Sequence, residues 1–426
     1  MTPAEALERI RRYDRRLKAF VRVFDTPLES ERAAGPTFAI KDLFDVKGVP
    51  TGAGAQVPVE PDPPRHAVAV ERLLQAGWSA VGKTHTVELA FGGWGTNRAV
   101  GAPWNPWDAT IHRAPGGSSS GSAVAVAAGL CDAALGSDTG GSVRIPAAIC
   151  GVVGLKPGRG LVSLKGVHPL SPALDTVGVL ARSVSLAAKA LAVISGPDGA
   201  AADRTTFDAD AALGQEVAGR RLAAIRLEEL GELDPEVATL YLDALARLRG
   251  AGLDVEMVTP CPAMEESFSS NGMLMAGEGW RVWGERIRQH GDLMDPWIVR
   301  RFRAGEEFTD HQLDLARERR LTHQQEFAAW MTPYDGLLSP TCPIPAPPIE
   351  TVDEQVSPLS RLTRAANYLD LPGASVPCGL TRQGLPVGLQ ILGRPQEEAM
   401  VVSLAATFEK ISGWNGRAPD LSGFEA

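Results

Sequence analysis

Two turns rich in glycine and serine stand close together in this chain. The first is Gly116-Gly117-Ser118-Ser119-Ser120-Gly121 and the second is Ser137-Asp138-Thr139-Gly140-Gly141-Ser142, with small apolar residues between them. Core packing has little use for so many glycines and hydroxyls. Glycine lets a backbone turn tightly and approach a ligand, and successive N–H groups in such a turn form an anion-binding nest. A serine at the end of a nest can attack a carbonyl while the N–H groups hold the oxyanion. The chemistry suggested is acyl transfer. A serine hydroxyl needs a base, and the histidine nearest in sequence to either turn is His112.

Two competing motifs fit less well. Gly77 to Thr84 matches the phosphate-loop pattern GxxxxGK[ST], which requires a strand before it and a helix after it. Here a helix precedes it and a strand lies inside it, so Lys83 reads as a surface lysine. Gly117-Ser118-Ser119-Ser120-Gly121 matches G-x-S-x-G, but a nucleophile elbow follows a buried strand, and Asp108 to Pro115 is polar. A third reading, turns that are structural or bind an anion without chemistry, suits an isolated turn better than two together.

The two turns, followed by Val143-Arg144-Ile145-Pro146, resemble the signature of the amidase signature family, with Ser118 and Ser142 at the family's spacing. Ala39 to Gly48 looks like its lysine segment, Cys150 to Pro157 like the segment after the nucleophile, and Pro386-Val387-Gly388-Leu389-Gln390 like its C-terminal strand. The resemblance spans about 36–182 and 337–410; residues 200–335 match no motif and read as a variable, substrate-side region. It implies a single α/β domain over 1–426, with a large twisted mixed sheet covered by helices. It also implies catalytic residues Lys41, Ser118 and Ser142: neutral Lys41 takes a proton from Ser118, which relays from the nucleophile Ser142. A cis bond between Gly117 and Ser118 is part of the pattern. The implied oxyanion hole is the backbone N–H of Thr139, Gly140, Gly141 and Ser142, supported by Ser119, Asp138 and Arg144. Phe91, Gly92, Gly93 and Trp94 would line the substrate pocket, joined by Pro340 to Pro345. Trp94, Trp280 and Trp283 are candidates either for an apolar pocket wall or for the core. No motif marks a site for an anionic substrate.

The reaction this implies is cleavage of a small-molecule carboxamide to an acid plus ammonia or an amine, with no cofactor and no metal. The alternatives are the glutaminase subunit of a tRNA-dependent amidotransferase, which passes ammonia to a partner, and an inactive binding relative. A free lysine titrates near about 10.4, and burial lowers it by about 3–5 units; the end of an apolar strand is a suitable place for that. Lys47 reads as a surface lysine.

The elements that must position these residues follow from the pattern. Residues 3–18 read as a helix, Phe38 to Ile40 as a buried strand ending at Lys41, and 68–74 as a helix stopping at Gly77. Residues 78–82 read as a strand and Ser122 to Leu130 as a small-residue helix joining the two turns. Residues 221–227, 235–249 and 253–258 form a βαβ pattern, and 263–331 is mostly helical. Strands at 336–338, 374–380 and 387–392 and a final helix over 397–410 complete the chain.

The chain has 426 residues, 44% hydrophobic and 22% charged, with net charge −9. These are the proportions of a globular protein. The charge disfavours nonspecific nucleic-acid binding. The five cysteines are scattered without metal-like spacing and read as reduced, buried thiols. The N-terminus is a charged amphipathic helix without a leader's apolar core, and the longest apolar run is too short to span a membrane. The expectation is a cytoplasmic enzyme with a small-molecule partner; this leaves room for a homodimer.

Overall fold

The computed structural model describes residues 1–30, 34–198, 206–414 and 417–425. Eleven strands form one sheet: β1 Phe20–Leu28, β2 Thr37–Lys41, β3 Ser79–Thr84, β4 Ala133–Asp138, β5 Val153–Lys156, β6 Thr176–Ala181, β7 Arg221–Ile225, β8 Asp254–Val258, β9 Gly336–Pro340, β10 Gly373–Leu380 and β11 Pro386–Leu392. Their order is β1-β3-β2-β4-β6-β5-β10-β11-β9-β7-β8. The sheet is mixed. β2 runs parallel to β3 and β4, and β7 runs parallel to β8 and β9. β10 and β11 form an antiparallel pair, which joins β5 on one side and β9 on the other.

Every residue of β2, β3, β4, β6, β9 and β11 is buried. Helices therefore cover both faces, and the strands read in sequence as near-continuous apolar runs rather than alternating ones. The βαβ unit over 221–258 forms as expected, with its helix at Pro235–Gly250. Because β7 and β8 extend this same sheet, the region without motifs is part of the one domain; its first residues, 200–205, lie outside the described part. No helix among the described residues is long and apolar enough to cross a membrane.

The elements that place the site are β2, β4 and the helix Ser120–Ala127. All eight residues of this helix are buried. It has no amphipathic stripe because it is surrounded, and its residues are small because its neighbours are close. A Cβ on Gly121 would stand 2.2 Å from the Ala19 carbonyl oxygen and 2.4 Å from the His85 amide nitrogen. The helix brings the first turn to its N-terminus and β4 beyond its C-terminus, and β4 delivers the second turn beside the end of β2.

Gly121→Ala separates two effects of opposite sign. Helix propensity alone would stabilise by about 1 kcal/mol. The backbone contact predicts instead a net loss of about 1–3 kcal/mol, measurable as a lower midpoint in urea unfolding.

Candidate active site

Lys41 is the last residue of β2 and is wholly buried. Its Nζ donates to Ser118 Oγ at 2.8 Å and to Ser137 Oγ at 2.9 Å. No carboxylate touches it among the described residues. Burial drives the amine down to about 7, against the pull of the Asp138 and Asp175 charges. An amine held between two hydroxyls near that value can accept a proton at neutral pH. Ser137 was missed as a site residue in the sequence. Its position in the second turn, one residue before Asp138, was the available signal.

The Gly117–Ser118 peptide is cis. The Ser118 carbonyl accepts from Val87 N–H at 3.1 Å and Thr86 Oγ1 at 3.0 Å. Gly117 N–H donates to the Gly93 carbonyl at 2.8 Å, and Gly116 N–H to that of Trp94 at 3.1 Å. Ser119 N–H donates to the Ser142 carbonyl at 3.2 Å, and its hydroxyl to the Ser137 carbonyl at 3.3 Å. Ser119 thus ties the two turns together.

The second turn is held from outside by its carbonyls. That of Asp138 accepts from Thr176 Oγ1 and Asn367 Nδ2, that of Thr139 from Asn271 Nδ2, and that of Gly140 from Thr363 Oγ1. Among the described residues the N–H groups of Thr139, Gly140 and Ser142 have no hydrogen-bond partner. These three residues line a cavity of about 400 Å³, within the usual range for small-ligand sites. Gly141 corrects the sequence expectation. Its N–H donates to Asp138 Oδ1 at 2.7 Å and is unavailable to an oxyanion. Gly141 is glycine for another reason: its φ is +129°, and a Cβ would stand 2.2 Å from Thr363 Oγ1.

Asp138 and Arg144 are fully buried and paired at 2.9 Å. Asp138 also accepts from the N–H groups of Gly141 and Val143. Arg144 reaches the Thr363 carbonyl, Gln390 Oε1 and Asn367 Oδ1 at 2.7–2.8 Å. Burial pushes the Asp138 carboxyl up, but the Arg144 guanidinium overrides it and holds the group well below the usual carboxylate range. Asp175 anchors Thr139 through a 2.6 Å bond from Thr139 Oγ1, and burial raises its carboxyl to about 7.

Ser142 Oγ carries no hydrogen bond among the described residues, to Ser118 or otherwise; such bonds often tighten only in a substrate complex. Phe91, Gly92 and Gly93 line the cavity. Trp94 does not. It is buried in a small core cluster, and its Nε1 donates to the carbonyls of Asp353 and Val356. Trp283 is likewise held in the core, with Nε1 on the Pro169 carbonyl, and Trp280 packs against the same core. Trp297 is the tryptophan that faces the cavity, and the C-terminal contribution comes from 354–364 rather than Pro340 to Pro345. Lys83 is no surface lysine: it is wholly buried and paired with Asp42 at 2.8 Å. His112 stacks on Trp104 and bonds the Pro103 carbonyl, away from both turns. No group of three or more His, Cys, Asp or Glu among the described residues is placed to hold a metal ion.

A mixed sheet that brings together two serine turns and a buried lysine bonded to both, with the second turn opening on a cavity, describes an amide-cleaving enzyme, and comparison with known proteins agrees. A model of the family described as Amidase matches residues 2–402, and the chain belongs to that family. It is 34% identical to a Glutamyl-tRNA(Gln) amidotransferase subunit of Chloroflexus aurantiacus, over 95% of this chain and 89% of that protein. Among solved structures, the corresponding Glutamyl-tRNA(Gln) amidotransferase subunit from Thermotoga maritima superposes with a TM-score of 0.86 at 31% identity, covering 99% of this chain and 94% of the other. The 6-aminohexanoate cyclic dimer hydrolase complexed with substrate gives 0.88 at 26% identity, covering 98% and 95%.

Arg144→Met leaves the Asp138 carboxylate buried without its cation. The expected loss is about 3–5 kcal/mol of unfolding free energy, read by urea denaturation. Asp138→Asn in the same background should recover part of it.

Proposed function

We propose that this chain hydrolyses a small primary carboxamide through an acyl-enzyme on Ser142. Ser142 Oγ attacks the amide carbon as its proton passes to Ser118 Oγ and the Ser118 proton passes to Lys41 Nζ. The carbonyl oxygen becomes an oxyanion held by the N–H groups of Thr139, Gly140 and Ser142. The proton then returns along the same path to the nitrogen, the C–N bond breaks, and ammonia leaves an ester on Ser142. Water adds to that ester with its proton taken by the same relay. Collapse breaks the C–Oγ bond, restores the serine and releases the acid. The observation that carries this reading is the wholly buried Lys41, 2.8 Å from Ser118 Oγ and without a carboxylate contact.

The second reading is the glutamine-hydrolysing subunit of a tRNA-dependent amidotransferase, in which the ammonia passes to a partner protein. The names of the curated relatives, at 34–36% identity, favour it over a free-standing amidase. Both readings share the chemistry above and differ in substrate and in the fate of ammonia. Ammonia release by the purified chain alone on aryl, alkyl, dicarboxylic and ureido amides and glutamine separates them. Release from glutamine only supports the amidotransferase reading; release from another amide supports the free-standing enzyme.

Ser142→Ala should lower turnover at least about 10³-fold with unchanged unfolding; retained turnover would remove Ser142 as nucleophile. The pH profile follows from the lowered Lys41. Its protonated form cannot accept a proton, so kcat/KM should rise through a limb near pH 7 and level above it. A limb displaced to the ordinary lysine range, or a steady fall above neutrality in folded protein, contradicts Lys41 as base.

A further inference from the structure

The cavity that holds Ser142 carries an unbalanced charge. Arg300, Arg301 and Arg364 line it, with Glu354 as the single carboxylate among its lining residues. Glu354 is already committed. It pairs with Arg301 Nη2 at 2.7 Å and accepts from Thr96 Oγ1. Arg301 is also tied to the carbonyls of Phe91 and Glu354. That pair is a neutral strut between the 91–96 segment, the helix Pro296–Arg303 and the loop at 354.

Arg364 is different. Nε donates to Ser360 Oγ at 3.1 Å, Nη1 donates to the Phe268 carbonyl at 3.0 Å, and the guanidinium lies 4.1 Å over the Phe268 ring. These contacts fix the group without neutralising it. No carboxylate touches it among the described residues, and Nη2 carries no hydrogen bond there. Its stem borders the nest: Cγ lies 3.5 Å from where a Cβ on Gly140 would stand. Burial and the Arg301 charge lower it to about 10, which leaves it cationic at neutral pH. Arg300, more exposed, lies 5.5 Å over the Trp297 ring, again without a carboxylate partner among the described residues. A held, partly desolvated guanidinium with free N–H groups is the arrangement that binds carboxylate.

We propose that the cavity takes the monoamide of a short dicarboxylic acid, with the amide at Ser142 and the far carboxylate on Arg364, Arg300 adding charge at the more exposed side. This rests on the Ser142 hydrolase reading and narrows its substrate class to anionic amides. It also sets this substrate apart from a zwitterion. The ammonium of glutamine would enter a cavity whose one lining carboxylate among the described residues already serves Arg301.

The test uses the full chain and matched amides: malonamate, succinamate, glutaramate and adipamate, their methyl esters, and glutamine, which is glutaramate with an α-ammonium. Turnover is followed by ammonia release. Binding is followed by calorimetry on Ser142→Ala. At least one acid should exceed its methyl ester by about 10- to 100-fold in kcat/KM and in affinity, and glutaramate should exceed glutamine. Arg364→Gln should bring the acid-to-ester ratio close to one, and Arg364→Lys should restore part of it. Esters handled as well as acids, glutamine preferred to glutaramate, or an unchanged ratio in Arg364→Gln would overturn the proposal. Labelling of the wild type by a neutral fluorophosphonate separates the two readings. Labelled Ser142 with no selective binding of any acid overturns the anion site alone; no labelling and no turnover removes the hydrolase reading and this inference with it.

Discussion

The buried ion pair of Asp138 and Arg144 is the constraint on which the site depends. Two charges without water are costly to bury, and the cost is met only when every lone pair and N–H finds a partner. Here the partners are the second turn itself and the segments packed against it. The Asp138 carboxylate takes the N–H groups of Gly141 and Val143, which fixes how the second turn leaves β4. Arg144 takes groups at 363, 367 and 390, which pins the loop after 354 and strand β11 to that turn. One pair thus joins residues from a central strand, a short helix and the C-terminal third of the chain.

The same logic explains why the turn can present unpaired N–H groups. A backbone nest costs stability when its donors lack partners, so the turn must be held by something else. Its carbonyls provide the hold, bonded to side chains from three places in the fold: Thr176 on β6, Asn271 on the helix Pro262–His290, and Thr363 and Asn367 on the helix Arg364–Tyr368 and its cap. Asn271 lies on the helix Pro262–His290 and so brings the motif-free region into contact with the most motif-dense one.

Among the described residues three lysines are wholly buried, and their surroundings set them apart. Lys83 has a carboxylate at 2.8 Å and forms an ordinary interior ion pair. Lys156 donates to the Pro157 carbonyl, and burial, with Arg144 nearby, lowers it to about 8. Of the three, Lys41 alone points its amine at two serine hydroxyls, one in each turn. Burial by itself therefore does not single out the base proposed above. What sets Lys41 apart is burial together with a partner that can pass a proton onward.

Much of this was legible in the order of residues. The two serine turns, the lysine at a strand end and the Gly/Ser spacing depend on local backbone demands that only a few residue types satisfy, so the sequence itself carries the fold class and the local motifs in which Lys41, Ser118 and Ser142 stand. The pocket was not legible in the same way. Trp94 and Trp283 are as apolar as Trp297, and only the packing of helices decides which tryptophan faces the cavity and which the core. Lys83 reads like any lysine until Asp42, far off in sequence, is placed beside it. The charge balance of the cavity is the clearest case. Arg301 and Arg364 are the same residue type, and only the fold gives one a carboxylate and leaves the other without. Pairing across long separations is set by where chain segments meet, and one sequence without its fold does not record those meetings.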